Sequence, residues 1–142
     1  MIYVKDIMSG TVRTITATST VVDAAREMKK WKIGSLVITR KKTPVGIITE
    51  GDVSKCIANG LDPKSTSVSF HRKKLITVEP GERIEVAARL MATAGIKKLP
   101  VMEGSKLVGI ITQTDIVNTS FALVTSLKEM VQARYRPPDF EM

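Results

Sequence analysis

The chain is written twice. Shifted against itself by 63 residues, the separation of Gly46 from Gly109, it lays Val45-Gly46-Ile47-Ile48-Thr49-Glu50-Gly51-Asp52 on Val108-Gly109-Ile110-Ile111-Thr112-Gln113-Thr114-Asp115 without a gap. The same offset brings Ala24-Ala25-Arg26 and Met28 onto Ala87-Ala88-Arg89 and Met91, Ile33 and Leu36 onto Ile96 and Leu99, and Thr14 onto Thr77. A duplication covering most of 142 residues makes each half one supersecondary unit that buries its apolar face against its twin. Ligands commonly lodge between such units, so the seam between the halves is where a site is expected.

Each copy reads strand, helix, strand, strand, helix. Residues 12–16 and 75–78 are short β-prone stretches. Val21, Ala24, Ala25 and Met28 fall at i, i+3, i+4 and i+7, and Ile84, Ala87, Ala88 and Met91 repeat that helical face. Two alanines in the middle of each face let a neighbour approach closely, which predicts contact between halves or between subunits. Residues 35–39 and 45–49 flank the turn Arg40-Lys41-Lys42-Thr43-Pro44, and residues 99–102 and 107–112 flank Glu103-Gly104-Ser105-Lys106. A helix over 52–58 stops at Asn59-Gly60 and Pro63; its counterpart from Asp115 has no such stop. Val117, Phe121, Val124, Leu127 and Val131 keep helical spacing up to Pro137-Pro138, roughly four turns that the first copy lacks.

Composition narrows the chemistry. A hydrophobic fraction of 43% suits a globular fold, no apolar run reaches the length of a membrane span, and the first residues lack a signal-peptide pattern, so a cytoplasmic protein is expected. One cysteine, Cys56, excludes an intrachain disulfide, and one histidine, His71, argues against a metal site. No nucleophile with a base and no paired carboxylates can be assembled, so neither an enzyme nor a catalytic cofactor is expected. The net charge of +8 favours anionic partners. Its lysines and arginines come in short clusters, Lys29-Lys30, Lys32, Arg40-Lys41-Lys42, Arg72-Lys73-Lys74 and Lys97-Lys98, and aromatic residues are few, so nucleic acid is a possible partner but not the favoured one.

Gly46-x-x-Thr49-x-x-Asp52 and Gly109-x-x-Thr112-x-x-Asp115 stand where a strand becomes a helix. Threonine followed three residues later by an acid resembles a capping box, in which the two side chains satisfy free N–H groups of the first turn. The same geometry serves a nucleotide: the helix N-terminus attracts phosphate, threonine adds a hydroxyl, and a carboxylate can accept two hydrogen bonds from a ribose diol. Two copies in one register favour the nucleotide; a purely structural dimerisation module with caps that are only caps is the rival.

These stretches, with Val4-Lys5-Asp6-Ile7-Met8, Ala24-Ala25-Arg26-Glu27-Met28 and Ile96-Lys97-Lys98-Leu99-Pro100-Val101, resemble a tandem pair of cystathionine β-synthase (CBS) domains, a Bateman module, over roughly residues 4 to 125. The resemblance implies an α/β (α+β) fold of two tandem β-α-β-β-α repeats packed through their sheets with pseudo-two-fold symmetry. Repeat 1 would occupy 1–60, a linker 61–69, repeat 2 70–125, and a C-terminal helical extension and tail 126–142. It further implies a regulatory, energy- or metabolite-sensing homodimer that acts on an unknown partner protein. Its ligand would be an adenine nucleotide, AMP before ADP or ATP, with S-adenosylmethionine as the alternative. Carried over residue by residue, one cleft would have Asp52 on the ribose beside Thr49, Ile76 and Ile96 around the adenine, and Lys97, Lys98, His71 and Lys74 near phosphate. The other would have Asp115 beside Thr112 and Thr114, with Met8, Thr11, Arg13, Ile33, Gly34 and Ser35 from the other repeat. Lys97-Lys98 and its counterpart Gly34-Ser35 make the clefts differ by two lysines. The first repeat departs from the family at Val37, where proline is common and Pro100 supplies one in the second. Trp31 and the methionines read as core or interface.

Overall fold

The computed structural model describes residues 1–70 and 74–134. A short helix, α1 (Val4–Ile7), leads into the first repeat: β1 (Thr14–Thr16), α2 (Val21–Trp31), β2 (Ser35–Arg40), β3 (Thr43–Thr49) and α3 (Glu50–Ala58). The second repeat follows as α4 (Ile84–Ala94), β4 (Lys98–Glu103), β5 (Lys106–Thr112) and α5 (Gln113–Arg134). Both hairpins are antiparallel and carry the same irregularity at matching places, between Ile38 and Thr39 and between Val101 and Met102. The first turns on Lys41 and Lys42 at φ 49° and 64°, the second on Gly104 at φ 61°. Positive φ at both central residues, as in the first turn, or at the first alone, as in the second, is what lets a two-residue hairpin turn follow the strand twist.

The sheets differ in width. β1 runs parallel to β2, pairing Thr14, Ile15 and Thr16 with Val37, Ile38 and Thr39. The expected counterpart strand at 75–78 does not form: only Val78 bridges to Val101, and the second sheet has two strands. Proline is the cause. Val37 donates its N–H to the Arg13 carbonyl at 3.1 Å, and its counterpart Pro100 has no N–H to give to Ile76.

Each repeat has its own core. Helix α2 turns Val21, Ala24 and Met28 inward, and Ala24 and Met28 pack with Ile15, Ala17, Leu36, Ile38, Ile48 and Val68. Helix α4 turns Ile84, Ala87 and Met91 inward, packed with Val4, Val78, Leu99, Val101 and Ile111. Of the contact between halves or between subunits that the spacing predicts, the first does not form: one alanine of each pair faces its own repeat's core, while Ala25 and Ala88 stay part-exposed. Ala24 and Ala87 are wholly buried inside separate cores, where the missing side-chain bulk lets each helix lie close on its own sheet.

The ends of the two copies cross over. Val4 sits in the second core with Ile2, Ile7 and Met8 around it, and Val68 sits in the first. Backbone bonds fix both exchanges. Val4 N donates to Glu82 O at 2.8 Å, and Ser9 and Ile110 exchange N–H bonds at 2.9 and 3.0 Å. Val68 N donates to Ser19 O at 3.0 Å and Val21 N to Thr66 O at 2.9 Å. The segment between Ser9 and Thr14 thus carries the chain from the second sheet to the first, and its residues lie on the seam.

Candidate functional site at the seam between the repeats

Helices α3 and α5 begin two residues earlier than Asp52 and Asp115, because Thr49 and the residue matching it, Thr112, occupy the cap position. At α3, Asp52 N donates to Thr49 Oγ1 at 3.3 Å while Thr49 N and Oγ1 donate to Asp52 Oδ2 at 2.8 and 3.1 Å. At α5, Asp115 N donates to Thr112 Oγ1 at 3.1 Å and Thr112 N donates to Asp115 Oδ2 at 2.9 Å. Both motifs are complete capping boxes. In each, Oδ2 alone is engaged; Oδ1 accepts from no group among the described residues, so a partly buried carboxylate is held in place by one of its two oxygens.

A third box of the same spelling stands at Thr20-Val21-Val22-Asp23. Asp23 N donates to Thr20 Oγ1 at 3.3 Å and Thr20 N donates to Asp23 Oδ2 at 2.9 Å. The bond from the Thr20 backbone, then that from its side chain, holds the exposed Asp23 carboxyl below the usual carboxylate range. It has no repeat partner, since Arg83 caps α4 without a side-chain bond. Thr-x-x-Asp is thus a cap wherever it occurs here, and only its position on the strand-to-helix corner at the seam distinguishes Asp52 and Asp115.

The loops before the hairpins close the site. Glu50 N donates to Gly34 O at 3.1 Å, and in matching fashion Gln113 N donates to Lys97 O at 2.8 Å. Ser35 pairs with Thr49, and Lys98 with Thr112. Backbone bonding therefore sets Ile33-Gly34-Ser35 beside Asp52, and Ile96-Lys97-Lys98 beside Asp115. One side chain crosses between them. A Cβ built on Gly34 would stand 3.1 Å from Lys98 Nζ and 3.6 Å from Glu50 Oε1, so Gly34 leaves room for the ammonium of the second repeat to reach the first turn of α3. Burial lowers the Lys98 pKa from the ordinary lysine value, and the Glu50 carboxylate pulls it back up. On the other side of the pseudo-dyad the matching residues are Ser35 and Gln113. One corner sets a cation beside an anion, Lys98 beside Glu50; at the other the residues matching that pair are both uncharged. Glu50 was missed by motif reading, although its alignment with Gln113 marks a position where the copies differ in charge.

The remaining expected residues are spread along the seam. Ile33 packs on the first core, and Ile76, Ile96 and Met8 pack on the second. Thr11, Lys74, Lys97 and Thr114 are exposed, and His71 lies outside the described residues. The Arg13 guanidinium lies 3.5 Å from the centre of the Trp31 ring, with the Lys30 ammonium at 5.0 Å. Trp31 is accordingly not a core residue: it is 40% exposed, stacked by Arg13 and bonded through Nε1 to Glu27 at 2.9 Å. A groove of about 330 Å³ between α2 and α3, which meets the seam at Ile33 and Glu50, is also lined by Ala25, Met28, Lys29, Lys32 and Val53. Among the described residues no three His, Cys, Asp or Glu gather as metal ligands, and no helix is long and apolar enough to cross a membrane.

The CBS domain family model matches residues 4–59 and again residues 67–121. The chain belongs to the CBS domain family. The CBS matches begin at Val4 and at Ser67, in step with the duplication offset, and cover most of the chain. An uncharacterized protein of Methanopyrus kandleri is 35% identical over 129 residues, which are 88% of this chain and 63% of that protein, so the chain spans less than two thirds of that relative's length. Among solved structures, the CBS domain pair of protein MJ0100 in complex with 5′-methylthioadenosine and S-adenosyl-L-methionine superposes with a TM-score of 0.77 at 28% identity, covering 84% of this chain and 96% of that one. The hexameric CBS-CP12 protein from bloom-forming cyanobacteria does so with a TM-score of 0.73 at 37% identity, covering 82% and 70%. The fold is thus the mixed α/β tandem repeat of CBS pairs, as the sequence resemblance implied.

Proposed function

We propose that the chain is a regulatory module that binds an adenosine-containing ligand at the seam and passes the bound state to a partner protein, without catalysing a reaction. The observation that carries this reading is the pair of locked carboxylates: Asp52 and Asp115 each spend one oxygen on the cap, and among the described residues nothing donates to Oδ1 at the helix N-terminus. A vicinal diol suits such an oxygen, and the helix N-terminus and the Lys98 ammonium suit an anionic group attached to it. The likeness to a CBS pair solved with two adenosine derivatives supports the same class of ligand. AMP is the preferred candidate, with ADP and ATP next, in the role of a cytoplasmic energy sensor.

S-adenosylmethionine is the second reading, favoured by Glu50 beside Lys98, which offers a carboxylate to an ammonium group as well as an ammonium to a carboxylate. Calorimetry of AMP, ATP, S-adenosylmethionine and GTP against the parent and a Lys98→Met variant, at low and high salt, separates the readings. A phosphate ligand should lose affinity in the variant and in salt, because a part-exposed cation is screened as the Debye length falls below about 10 Å. If none of the adenosine compounds binds, the rival of a purely structural module stands.

A further inference from the structure

Arg13 is the one charged residue of the segment that crosses the seam, Ser9-Gly10-Thr11-Val12-Arg13-Thr14. Its main chain is fixed there. The Arg13 carbonyl accepts the Val37 N–H at 3.1 Å, and at the other end of the segment Ser9 is bonded through both its N–H and its carbonyl to Ile110. The side chain reaches the last residue of α2. Its Cζ lies 3.5 Å from the centre of the Trp31 ring, the separation of a flat stack, and among the described residues no carboxylate pairs with the guanidinium. Lys30 Nζ stands farther off, at 5.0 Å. The ring is itself held, since Trp31 Nε1 donates to Glu27 Oε2 at 2.9 Å one turn back along the helix.

Cation and ring belong to one copy only. Under the 63-residue offset Arg13 falls on Ile76 and Trp31 on Ala94, and Ile76 packs on the second core. A position that is apolar and seated in one repeat is charged in the other, and an aromatic ring to receive the charge stands only where the charge does. The two residues are a matched pair.

We infer that Trp31 is a specificity-determining residue: by stacking on Arg13 it withholds from the seam the cation of the crossing segment, and so shifts preference away from phosphate-bearing adenosine ligands towards uncharged ones. The inference rests on the adenosine-ligand reading and adds to it the control of ligand charge. Its size follows from the contact. A cation–π stack between exposed groups is worth about two- to fivefold in population, and a ligand that needs the guanidinium binds more weakly by about that factor. The hold is also reversible, because a phosphate offers a guanidinium paired, charge-assisted hydrogen bonds that an aromatic face cannot. A phosphate-bearing ligand therefore draws Arg13 off the ring. Trp31 is the chain's single tryptophan, so its emission reads that exchange.

The test is calorimetry of AMP and adenosine at low salt against the parent, Trp31→Ala, Trp31→Phe, and Trp31→Ala combined with Arg13→Gln, beside tryptophan emission of the parent and Arg13→Gln in the same titrations. AMP should bind Trp31→Ala about two- to fivefold more tightly than the parent, and adenosine equally. Trp31→Phe, which keeps an aromatic face, should follow the parent, and the double variant should lose the gain. AMP, and not adenosine, should change Trp31 emission, and only where Arg13 is present. An unchanged ratio of AMP to adenosine affinity in Trp31→Ala overturns the inference alone, as does a gain that adenosine shares or that the double variant retains. Should Trp31→Ala not fold, the emission titration decides: AMP that binds the parent without altering emission overturns the inference. Binding of neither compound to the parent overturns the adenosine reading, and this inference with it.

Discussion

At Gly109 a Cβ would stand 2.6 Å from Met8 Sδ and 2.8 Å from the Ser9 carbonyl oxygen, whereas at Gly46, the same place in the first copy, it would meet nothing nearer than Ile38 Cδ1 at 3.6 Å. Methionine can move; the Ser9 backbone, bonded to Ile110 on both sides, cannot. Gly109→Ala should therefore cost about 1–3 kcal/mol, the range of overpacked sites, and lower the thermal midpoint by several degrees, while Gly46→Ala should shift it little. Equal shifts in the two variants would show that the segment at Met8 and Ser9 does not press on β5. The three aspartates make a similar internal comparison. Alanine at Asp52 or Asp115 should remove a cap worth about 0.5–2 kcal/mol and cost about ten- to a hundredfold in affinity for an adenosine ligand. Asp23→Ala should also lower the thermal midpoint, yet leave ligand affinity unchanged. The Asp23 contribution is present at neutral pH and is lost as pH falls through its depressed pKa, so the gap between parent and Asp23→Ala should close in acid. Calorimetry showing all three variants equally weak toward ligand would reduce Asp52 and Asp115 to caps. The motif alone left cap and ligand contact as competing readings; the coordinates show the cap and make the two roles compatible, because capping engages one oxygen of each carboxylate.

Among elements, β1 shows where the duplicate reading stops being reliable. Periodicity and β-propensity treat 12–16 and 75–78 alike, and by side chains they are alike. What separates them is a single N–H in the neighbouring strand: Val37 has one for Arg13, and Pro100 has none for Ile76. The difference was legible in the sequence as the Val37 departure, but not its consequence, which depends on which strand lies alongside. Val37→Pro should reproduce the second repeat in the first, removing one ladder bond at a cost of about 1 kcal/mol and opening the Thr14–Thr16 amides to hydrogen exchange. Unchanged protection there would mean β1 is held by Ile15 in the core and not by the ladder. The expectation that the alanine faces join the halves failed for a related reason: helical spacing identifies the buried side of α2 and α4 but not the layer it meets, and for Ala24 and Ala87 that layer is each repeat's own core.

For the whole molecule, the offset of 63 residues identified two units and a seam, and the hairpins, the corners bearing Asp52 and Asp115 and the extended last helix were all legible from it. The exchange of end segments was not. Val4 and Ser67 are equivalent under the offset, and nothing in their side chains tells which core each neighbourhood enters; that follows from chain connectivity, since the segment after α1 must cross the seam to begin β1. The crossing ties each repeat's core to the other repeat's leading segment, and it places Ser9 through Arg13 on the seam. It also makes a crossed prediction. Val4 and Val68 are 0% and 3% exposed in the second and first cores respectively, and truncating either to alanine should cost on the order of 2 kcal/mol by loss of buried methyls and the cavity left behind. Val4→Ala, although it changes the start of the chain, should speed amide exchange in α4, β4 and β5 and spare α2, β2 and β3. Val68→Ala, ahead of the second repeat in sequence, should loosen the first. Exchange that instead followed sequence order, with Val4→Ala loosening α2 and β2 and leaving α4 and β4 protected, would show that each repeat keeps its own ends and that the seam is not crossed.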